Sequence, residues 1–576
     1  MDDELRERIE TEAEKHALVN AVKHESEADV GAVMGPLMGE NPDFRQHGDE
    51  IPGVIGPVVS RVNESSVEER RERLAELAPD WLEEIESEDE EDDQILPDLP
   101  NADDYDQIRM RCAPNPNGPW HIGHARMPAV IGTYAEEYDG EFILRFDDTN
   151  PEAGVGRPML WAYDEILDEI DYLGFEPAEV YRASDRLETY YDHARDLIEK
   201  GGAYTCSCSG EEFSDMKNSA EACPHRDKDP ETTMAEFEAM VDGEYESGEM
   251  VLRVKTDIEH KNPALRDWVG FRIIDTPHPR EEAEEYRCWP MLDFQSGVDD
   301  HLTGVTHIIR GIDLQDSAKR QQFVYDYFDW EYPEVIHWGH VQVDAYDVKM
   351  STSTIRELIE DGELDGWDDP RAPTIPSVRR RGIRGEAIVD AMVELGTSTS
   401  NVDLAMSTVY SNNRERIDDD ANRYFFVRED HADFTLAGDH PETAHPPVHP
   451  EHEDRGTRDI DAGTRVRVEE PDAPDDGERI WLKGFGCFRR EDDELTYVGD
   501  DIAAVREEGV DVIHWVPADT AVLTRMRTPD GDVTGYAEPG FRETDEDEMV
   551  QFERVGFVRV DDHEEHDESV AYFAHE

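Results

Sequence analysis

Apolar side chains recur at helical spacing near the start of the chain. Leu5, Ile9, Leu18 and Val22 fall at positions compatible with one helix face, and Val67 to Trp81 repeats the pattern with Leu74 and Leu77. Gly31 to Pro57, between them, is dense in Gly and Pro and reads as loops. Glu83 to Asp93 is almost entirely acidic and reads as a solvated linker. Near Asp104 the texture changes. Gln107 to Arg111 and Glu141 to Phe146 read as strands, a Pro/Gly loop and a helix from about His124 lie between them, and residues 158–173 read as helix. Strand, loop, helix, strand predicts an α/β, doubly wound nucleotide-binding domain. Beyond about residue 400, short strands alternate with turns, as in Thr464 to Val468, Asp511 to Val516 and Phe557 to Val560. That spacing predicts antiparallel β-barrels.

A chain of 576 residues is long enough for several domains. Its 56 Lys+Arg stand against 141 Asp+Glu, a formal charge of −85, and only 10 of the basic residues are Lys. Disorder is not the reading, because 10 Trp, 20 Tyr and 19 Phe supply large buried areas and the acids are spread along the sequence. Excess surface carboxylate with scarce Lys suits a halophilic protein, since at about 1 M salt charges are screened over roughly 3 Å. No uncharged apolar run approaches the roughly 18–20 residues that cross a bilayer. The N-terminus is acidic rather than a secretory signal, and six Cys make no disulfide framework, so a reducing cytoplasm is expected.

The first candidate site is Arg111-Cys112-Ala113-Pro114-Asn115-Pro116-Asn117-Gly118-Pro119-Trp120-His121-Ile122-Gly123-His124. Pro and Gly stop the strand and let a ligand approach the backbone closely. The helix that follows turns its unpaired N–H groups toward the loop, which favours an anion. His121 and His124, three apart, can donate to a phosphate that gains charge in a transition state. Two surface histidines on a Pro-rich loop are the plain alternative, and a metal reading lacks a third ligand nearby.

This stretch resembles the HIGH motif of class I aminoacyl-tRNA synthetases, in the glutamyl/glutaminyl subfamily. Four further segments resemble the same family: Leu144 to Pro151, Asp299 to Gly311, Pro370 to Ile375 with Arg379 to Gly382, and Gln551 to Phe557. The resemblance covers about 104–576, and the helical start is similar to that of archaeal glutamyl enzymes. It implies a helical extension over 1–82, an acidic linker over 83–103 and a Rossmann-like catalytic domain in two parts, 104–200 and 286–365. An acceptor-binding insertion would occupy 201–285, a helical connection 366–420 and β-barrel anticodon-binding domains 421–576.

The resemblance also implies roles. His121, His124, Lys349 and Ser351 would be catalytic. Pro114, Asn115, Pro116, Asn117, Gly118, Ile122, Gly123, Gly311 and Met350 would bind ATP, which comes with Mg²⁺. Arg111 and Arg310 would hold the substrate side-chain carboxylate, and Asp147 its ammonium. An Arg at position 310 marks the glutamyl branch, because a guanidinium grips a carboxylate through two parallel hydrogen bonds and an amide has no need of a cation. L-Glutamate, ATP and tRNA-Glu are the implied partners, with tRNA-Gln an open second substrate, no membrane, and a monomer as the family default. For tRNA the residues themselves offer Arg379, Arg380 and Arg381 as a local basic track.

The chain departs from the family twice. Lys349-Met350-Ser351-Thr352-Ser353 stands where the KMSKS loop is expected, so its second Lys, which stabilises departing pyrophosphate, is Thr352. Leu292 replaces a Tyr that contacts the amino acid, so that hydroxyl is lost and Trp289 or a water would have to stand in for it. A further cluster, Cys206-x-Cys208 with Cys223-x-His225, has the two tight pairs of a tetrahedral structural Zn²⁺ site.

Four readings compete: a glutamate–tRNA ligase, its glutamine counterpart, a non-catalytic tRNA-binding protein derived from a synthetase, which Thr352 and Leu292 motivate, and a tRNA-modifying paralogue, which usually lacks the anticodon domains expected here. Moved from molar KCl to dilute buffer, the chain is expected to unfold, read as lost far-UV ellipticity. An unchanged spectrum would instead identify an ordinary acidic protein.

Overall fold

The computed structural model describes the chain except residues 1–2, 24–27, 29, 41–43, 45–50, 64, 80, 82–95, 153, 155, 347, 503–506 and 564–567. It divides into two units, Met1–Pro97 and Asp98–Glu576. The acidic run 83–93 lies outside the described residues. No helix among the described residues is long and apolar enough to cross a membrane.

Among its described residues the first unit includes the helices α1 (Asp3–Lys23), α2 (Val30–Glu40), α3 (Pro52–Asn63) and α4 (Val67–Leu77). Ile9, Ala13, Ala17 and Leu18 of α1 share one core with Val33, Leu37, Val54, Ile55, Val58 and Leu74. The loop expectation for Gly31 to Pro57 fails, because α2 and α3 fall largely within it. Pro52 opens α3, where a missing N–H costs nothing. Pro36 and Pro57 lie inside helices on exposed positions, while apolar residues three and four apart bury the opposite face. Burial outweighs the poor local propensity of Gly and Pro. Asn63 then clasps the segment before α2, accepting from Ala28 N–H (2.8 Å) and donating to Ala28 O (3.0 Å).

In the second unit, β1 (Arg109–Cys112), α5 (Arg126–Glu137), β2 (Glu141–Phe146), α6 (Ala162–Tyr172) and β3 (Glu179–Arg182) form a parallel βαβαβ array. Phe142, Ile143, Leu144 and Phe146 are all buried, as expected of a strand covered on both faces. The chain then leaves the sheet. It forms α7 (Leu187–Glu199), β4 (Ala203–Cys206), α8 (Gly210–Asn218), α9 (Pro230–Val241), β5 (Val251–Val254), β6 (Val269–Ile273), β7 (Cys288–Pro290) and α10 (Leu292–Leu302). Here β4 to β7 are an antiparallel sheet in sequence order. The parallel array resumes with β8 (His307–Gly311), α11 (Gln315–Phe328) and β9 (Glu334–Trp338). Thr306 N–H donates to Arg109 O (2.8 Å), which sets β8 beside β1. Strands therefore run β3-β2-β1-β8-β9, with the insertion leaving between β3 and β8. Next come β10 (Val341–Val343), α12 (Thr352–Glu360), α13 (Ile375–Arg380), α14 (Gly385–Glu394), β11 (Val402–Leu404) and α15 (Met406–Ile417).

The described residues from Asn422 onward include two seven-stranded sheets with separate cores and a short antiparallel pair, Thr443–Ala444 with Ile460–Asp461. Pairing is mainly antiparallel, with parallel pairs such as Val522–Thr528 on Ser569–His575 and His431–Ala437 on Glu494–Gly499. A ring of seven strands cannot alternate direction throughout, so a nearly closed barrel of this size accommodates such neighbours. One extended segment serves both barrels. Phe425 and Val427 enter the first core and Phe426 the second, because successive side chains of a strand point to opposite faces.

Arg381, just after α13, joins the catalytic part to the last barrel strand. It is 1% exposed. Its guanidinium donates to Phe573 O (2.9 Å), Ala574 O (2.5 Å), Tyr346 OH (2.9 Å) and Tyr410 OH (3.0 Å). Arg381→Met strands these acceptors and is expected to cost about 3 kcal/mol. Thermal unfolding in molar KCl measures the loss, and an unchanged Tm would refute this role.

Candidate active site

Three strand ends carry three arginines toward one carboxylate. Arg111 from β1 donates through Nε to Asp300 Oδ1 (3.0 Å), and Arg145 from β2 through Nη1 to the same oxygen (2.7 Å). Arg310 from β8 holds Nη2 3.8 Å from Asp300 Oδ2. Asp300 is 1% exposed. Burial alone would raise its pKa, but Arg111, Arg145 and Arg310 outweigh burial and hold it below the usual carboxylate range. Asp299 beside it accepts from Arg186 Nε (2.7 Å) and Tyr190 OH (2.6 Å). Asp147 Oδ1 accepts from Arg145 Nε (2.7 Å) and Gln295 Nε2 (3.0 Å), which leaves Oδ2 as its free oxygen. Four guanidiniums thus meet three carboxylates, Asp147, Asp299 and Asp300. The surplus positive charge sits at Arg310. Its closest acceptor is the neutral Gln321 Oε1 (3.2 Å), its buried Nε has no acceptor, and burial and Arg111 lower its pKa.

Arg111, Asp147, Arg310 and Gly311 line a cavity of about 340 Å³ together with His121, Gly123 and His124. Both arginines expected at the substrate carboxylate line this cavity with the histidine pair, and each also faces the internal carboxylate of Asp300. The histidine rings stack with centroids 3.7 Å apart. A short 3₁₀ turn, Ile122–Ala125, precedes α5, so the histidines sit on a tighter turn than the α-helix expected from about His124. Burial pushes His121 down to about 4 and, with the neighbouring His121, holds His124 well below 6.5. Both rings are therefore neutral donors at neutral pH. The turn is clamped from the connection after α12, where Ile122 N–H donates to Pro373 O (2.9 Å) and Ile375 N–H to Trp120 O (2.9 Å). Trp120 N–H in turn donates to the buried carboxylate of Glu169 (3.0 Å).

Pro114 to Gly118 do not line the cavity; Asn117 and Gly118 meet α12, while Pro114 O and Pro116 O accept from Asp147 and Met159 N–H and Asn115 donates to Gly156 O. A Cβ on Gly118, at φ +151, would lie 2.7 Å from Thr352 Cγ2, so the Thr352 methyl fills the space beside that glycine. Met350 reaches Gly123 in the same way. Lys349 is exposed, and Ser351 Oγ lies 3.0 Å from Ser353 Oγ. One turn beyond Thr352, Arg356 donates to Asn117 O, and its buried Nε has no acceptor. Sequence reasoning missed Arg356, although the i+4 spacing from Thr352 was the available signal. It also missed Arg126, Ser296, Ser317 and Trp338 in the cavity wall.

Three expectations need correction. Trp289 is fully buried against His278 in the insertion core and does not reach the cavity, whereas Leu292 does. Arg381 is internal, with its donors spent within the fold, so tRNA cannot reach it. Arg380 is bound to Asp368 (2.5 Å) and Asp561 (3.0 Å), leaving Arg379, half-exposed with Asp168 at 3.6 Å and the Tyr172 ring 5.4 Å away, as the more open member of the trio. The sequence showed three cations but not their tertiary partners.

Cys206, Cys208, Cys223 and His225 do come together. Sγ–Sγ separations are 3.5 Å, Nδ1 lies 3.4–3.5 Å from two sulfurs, and all four ligand atoms fall within 4.8 Å. A tetrahedral ion at thiolate distances of about 2.3 Å has edges of roughly 3.8 Å, so the donor set fits a metal.

The unfolded chain takes up imidazole protons near pH 6.5, while folded His121 does so only at about 4. Stability from this group is present above 6.5, falls as pH drops and levels off below about 4. NMR in molar KCl is expected to show neutral His121 and His124 rings at pH 5.5; a titration near 6.5 would contradict their burial.

The family model for the catalytic domain of class I tRNA synthetases (E and Q) matches residues 107–419. Models for the anticodon-binding domains of the same group match 421–506 and 512–561. The chain is 71% identical to the glutamate–tRNA ligase of Haloarcula marismortui and 70% to that of Natronomonas pharaonis, each over 100% of both chains. It is 44% identical to that of Methanosarcina acetivorans over 98% of each. Likeness of this extent, on a parallel sheet followed by two barrels, makes the chain a member of the class I tRNA synthetases of the E and Q group, of the archaeal glutamyl type.

Proposed function

We propose that the chain is a glutamate–tRNA ligase that uses ATP to join L-glutamate to the 3′ end of tRNA-Glu. One observation carries the choice of amino acid: the surplus positive charge at Arg310 in a cavity shared with a neutral histidine pair. Glutamate carries one net negative charge and neutralises it, whereas glutamine leaves it buried and unpaired. In this reading Arg310 and Arg111 take the γ-carboxylate, and Asp147 Oδ2 takes the ammonium. The α-carboxylate then attacks the α-phosphorus in line. A bond from its oxygen to phosphorus forms, the bond to the β-phosphate oxygen breaks, and pyrophosphate leaves. The 3′-terminal adenosine hydroxyl takes the glutamyl group and AMP departs. Such chemistry needs positioning and charge stabilisation rather than a protein nucleophile.

His121 and His124 donate to the α-phosphate as neutral rings, which adds no charge to the ground state. The loop Pro114 to Gly118, with Ile122, Gly123, Gly311 and Met350, holds ATP, while Lys349 and Ser351 close over its phosphates. Mg²⁺ arrives with ATP as part of the substrate. Arg356 supplies the cation absent at Thr352, since its guanidinium already reaches the loop at Asn117. Cys206, Cys208, Cys223 and His225 would hold a structural Zn²⁺, which would tie the end of β4 to the segment before α9. The reading takes the chain as a cytoplasmic monomer whose tRNA-facing basic residue in the connection is Arg379.

Charging assays in molar KCl with tRNA-Glu and tRNA-Gln, each offered glutamate and glutamine separately, test this. Glutamate is expected on tRNA-Glu and glutamine on neither. Arg310→Gln is expected to lower kcat/KM for glutamate on the order of 100-fold, and Arg356→Met to lower kcat with little change in the glutamate KM. Glutamine charging by the unaltered chain would overturn the reading.

A further inference from the structure

Gln321 of α11 is fully buried behind the wall of the catalytic cavity, which it does not itself line. Its Oε1 accepts from Arg310 Nη1 (3.2 Å) and from Tyr332 OH (2.6 Å), and its Nε2 donates to Ser296 Oγ (2.5 Å). Arg310 and Ser296 both line the cavity. The amide reaches across to α10 because Gly297 leaves room for it. A Cβ on Gly297 would lie 3.3 Å from Gln321 Cγ, and Tyr325 OH, one turn along α11, donates to Gly297 O (2.9 Å).

Two donors on one oxygen decide which way the amide points. A guanidinium has no acceptor, so an amide turned over would set donor against donor. Tyr332 supplies the second donor, since burial pushes its hydroxyl up to about 12 and keeps the proton on. Nε2 is therefore fixed toward Ser296, whose oxygen accepts. A serine hydroxyl has one proton, and no acceptor for it is found among the described residues, which leaves it for a cavity occupant. Charge makes the same point. In a chain with 141 acidic residues, the acceptor set closest to Arg310 is a neutral amide. A carboxylate at this position would pair with the guanidinium and draw the Ser296 proton to itself. The amide steers both groups and cancels neither.

We infer that Gln321 is a positioning residue for amino-acid selection: it holds Arg310 in place and turns the Ser296 hydroxyl into a donor, so that the wall formed by these two residues offers only donors. The inference rests on the proposed ligase reading and deepens its choice of substrate. A γ-carboxylate brings two oxygens to these donors and to Arg111, whereas an amide brings one oxygen and turns its NH2 toward a donor. Gln321 acts on the substrate only through Arg310 and Ser296.

Steady-state charging of tRNA-Glu in molar KCl, with glutamine added as a competitor, tests this. Gln321→Glu keeps the shape and reverses the polarity. It is expected to raise the glutamate KM about 30-fold, to leave the ATP KM unchanged, and to leave inhibition by glutamine unchanged or stronger. Ser296→Ala is expected to raise the glutamate KM about tenfold by itself and less than about twofold on top of Gln321→Glu, where the hydroxyl no longer donates to the cavity. Gln321→Met fills the same volume without polar atoms and replaces the carboxylate variant if Tm shows that the latter does not fold. It is expected to raise the glutamate KM about tenfold with the ATP KM unchanged. An unchanged glutamate KM in a folded Gln321 variant, a matching rise in the ATP KM, or equal weakening of glutamate and glutamine would overturn the inference. So would additive effects of Ser296→Ala and Gln321→Glu. Failure of the unaltered chain to charge tRNA-Glu with glutamate is a separate result and removes the ligase reading itself.

Discussion

Asp300 is the group on which the catalytic half depends. Strands β2, β1 and β8 are neighbours in the sheet, and each carries as its last residue but one an arginine that turns toward this one carboxylate from α10. Without it three guanidiniums would face one another in a space almost closed to water. With it they are held, but not fully neutralised. The same arrangement thus fixes the strand ends and leaves a charge deficit of the size a dicarboxylic amino acid supplies. In the proposed reading, specificity for an acidic side chain is a property of the sheet's framework and not only of its surface.

Much of this was legible in the sequence where the information is local. The βαβ grammar, the histidine pair and the Cys/His pairs each occupy short stretches whose spacing carries their meaning. The readings that failed needed partners far along the chain. Arg381 looks like its neighbours until Phe573 and Ala574 accept its donors. Trp289 appeared to be a pocket residue until the insertion core closed over it. The helices within Gly31 to Pro57 were hidden by residue types that disfavour helix, since the decisive fact is which face the other helices of their bundle cover. Arg356 was overlooked because the loop that it reaches lies 239 residues earlier.

The acidity of the chain also takes on a sharper meaning. Carboxylates dominate the composition, yet the catalytic cavity concentrates guanidinium groups with fewer acids in its wall to balance them. Solvation in brine is served by the abundant exposed acids, while recognition of negatively charged substrates is served by a minority of cations kept away from them.

The shared segment Arg423 to Arg428 has a mechanical outcome. Because Phe425 and Phe426 are anchored in different cores, neither barrel can pivot about this stretch without pulling an aromatic ring out of its neighbour. The two barrels are therefore riveted at a fixed angle, and a long RNA laid across them would be measured against a stiff gauge rather than gripped by two independent hands.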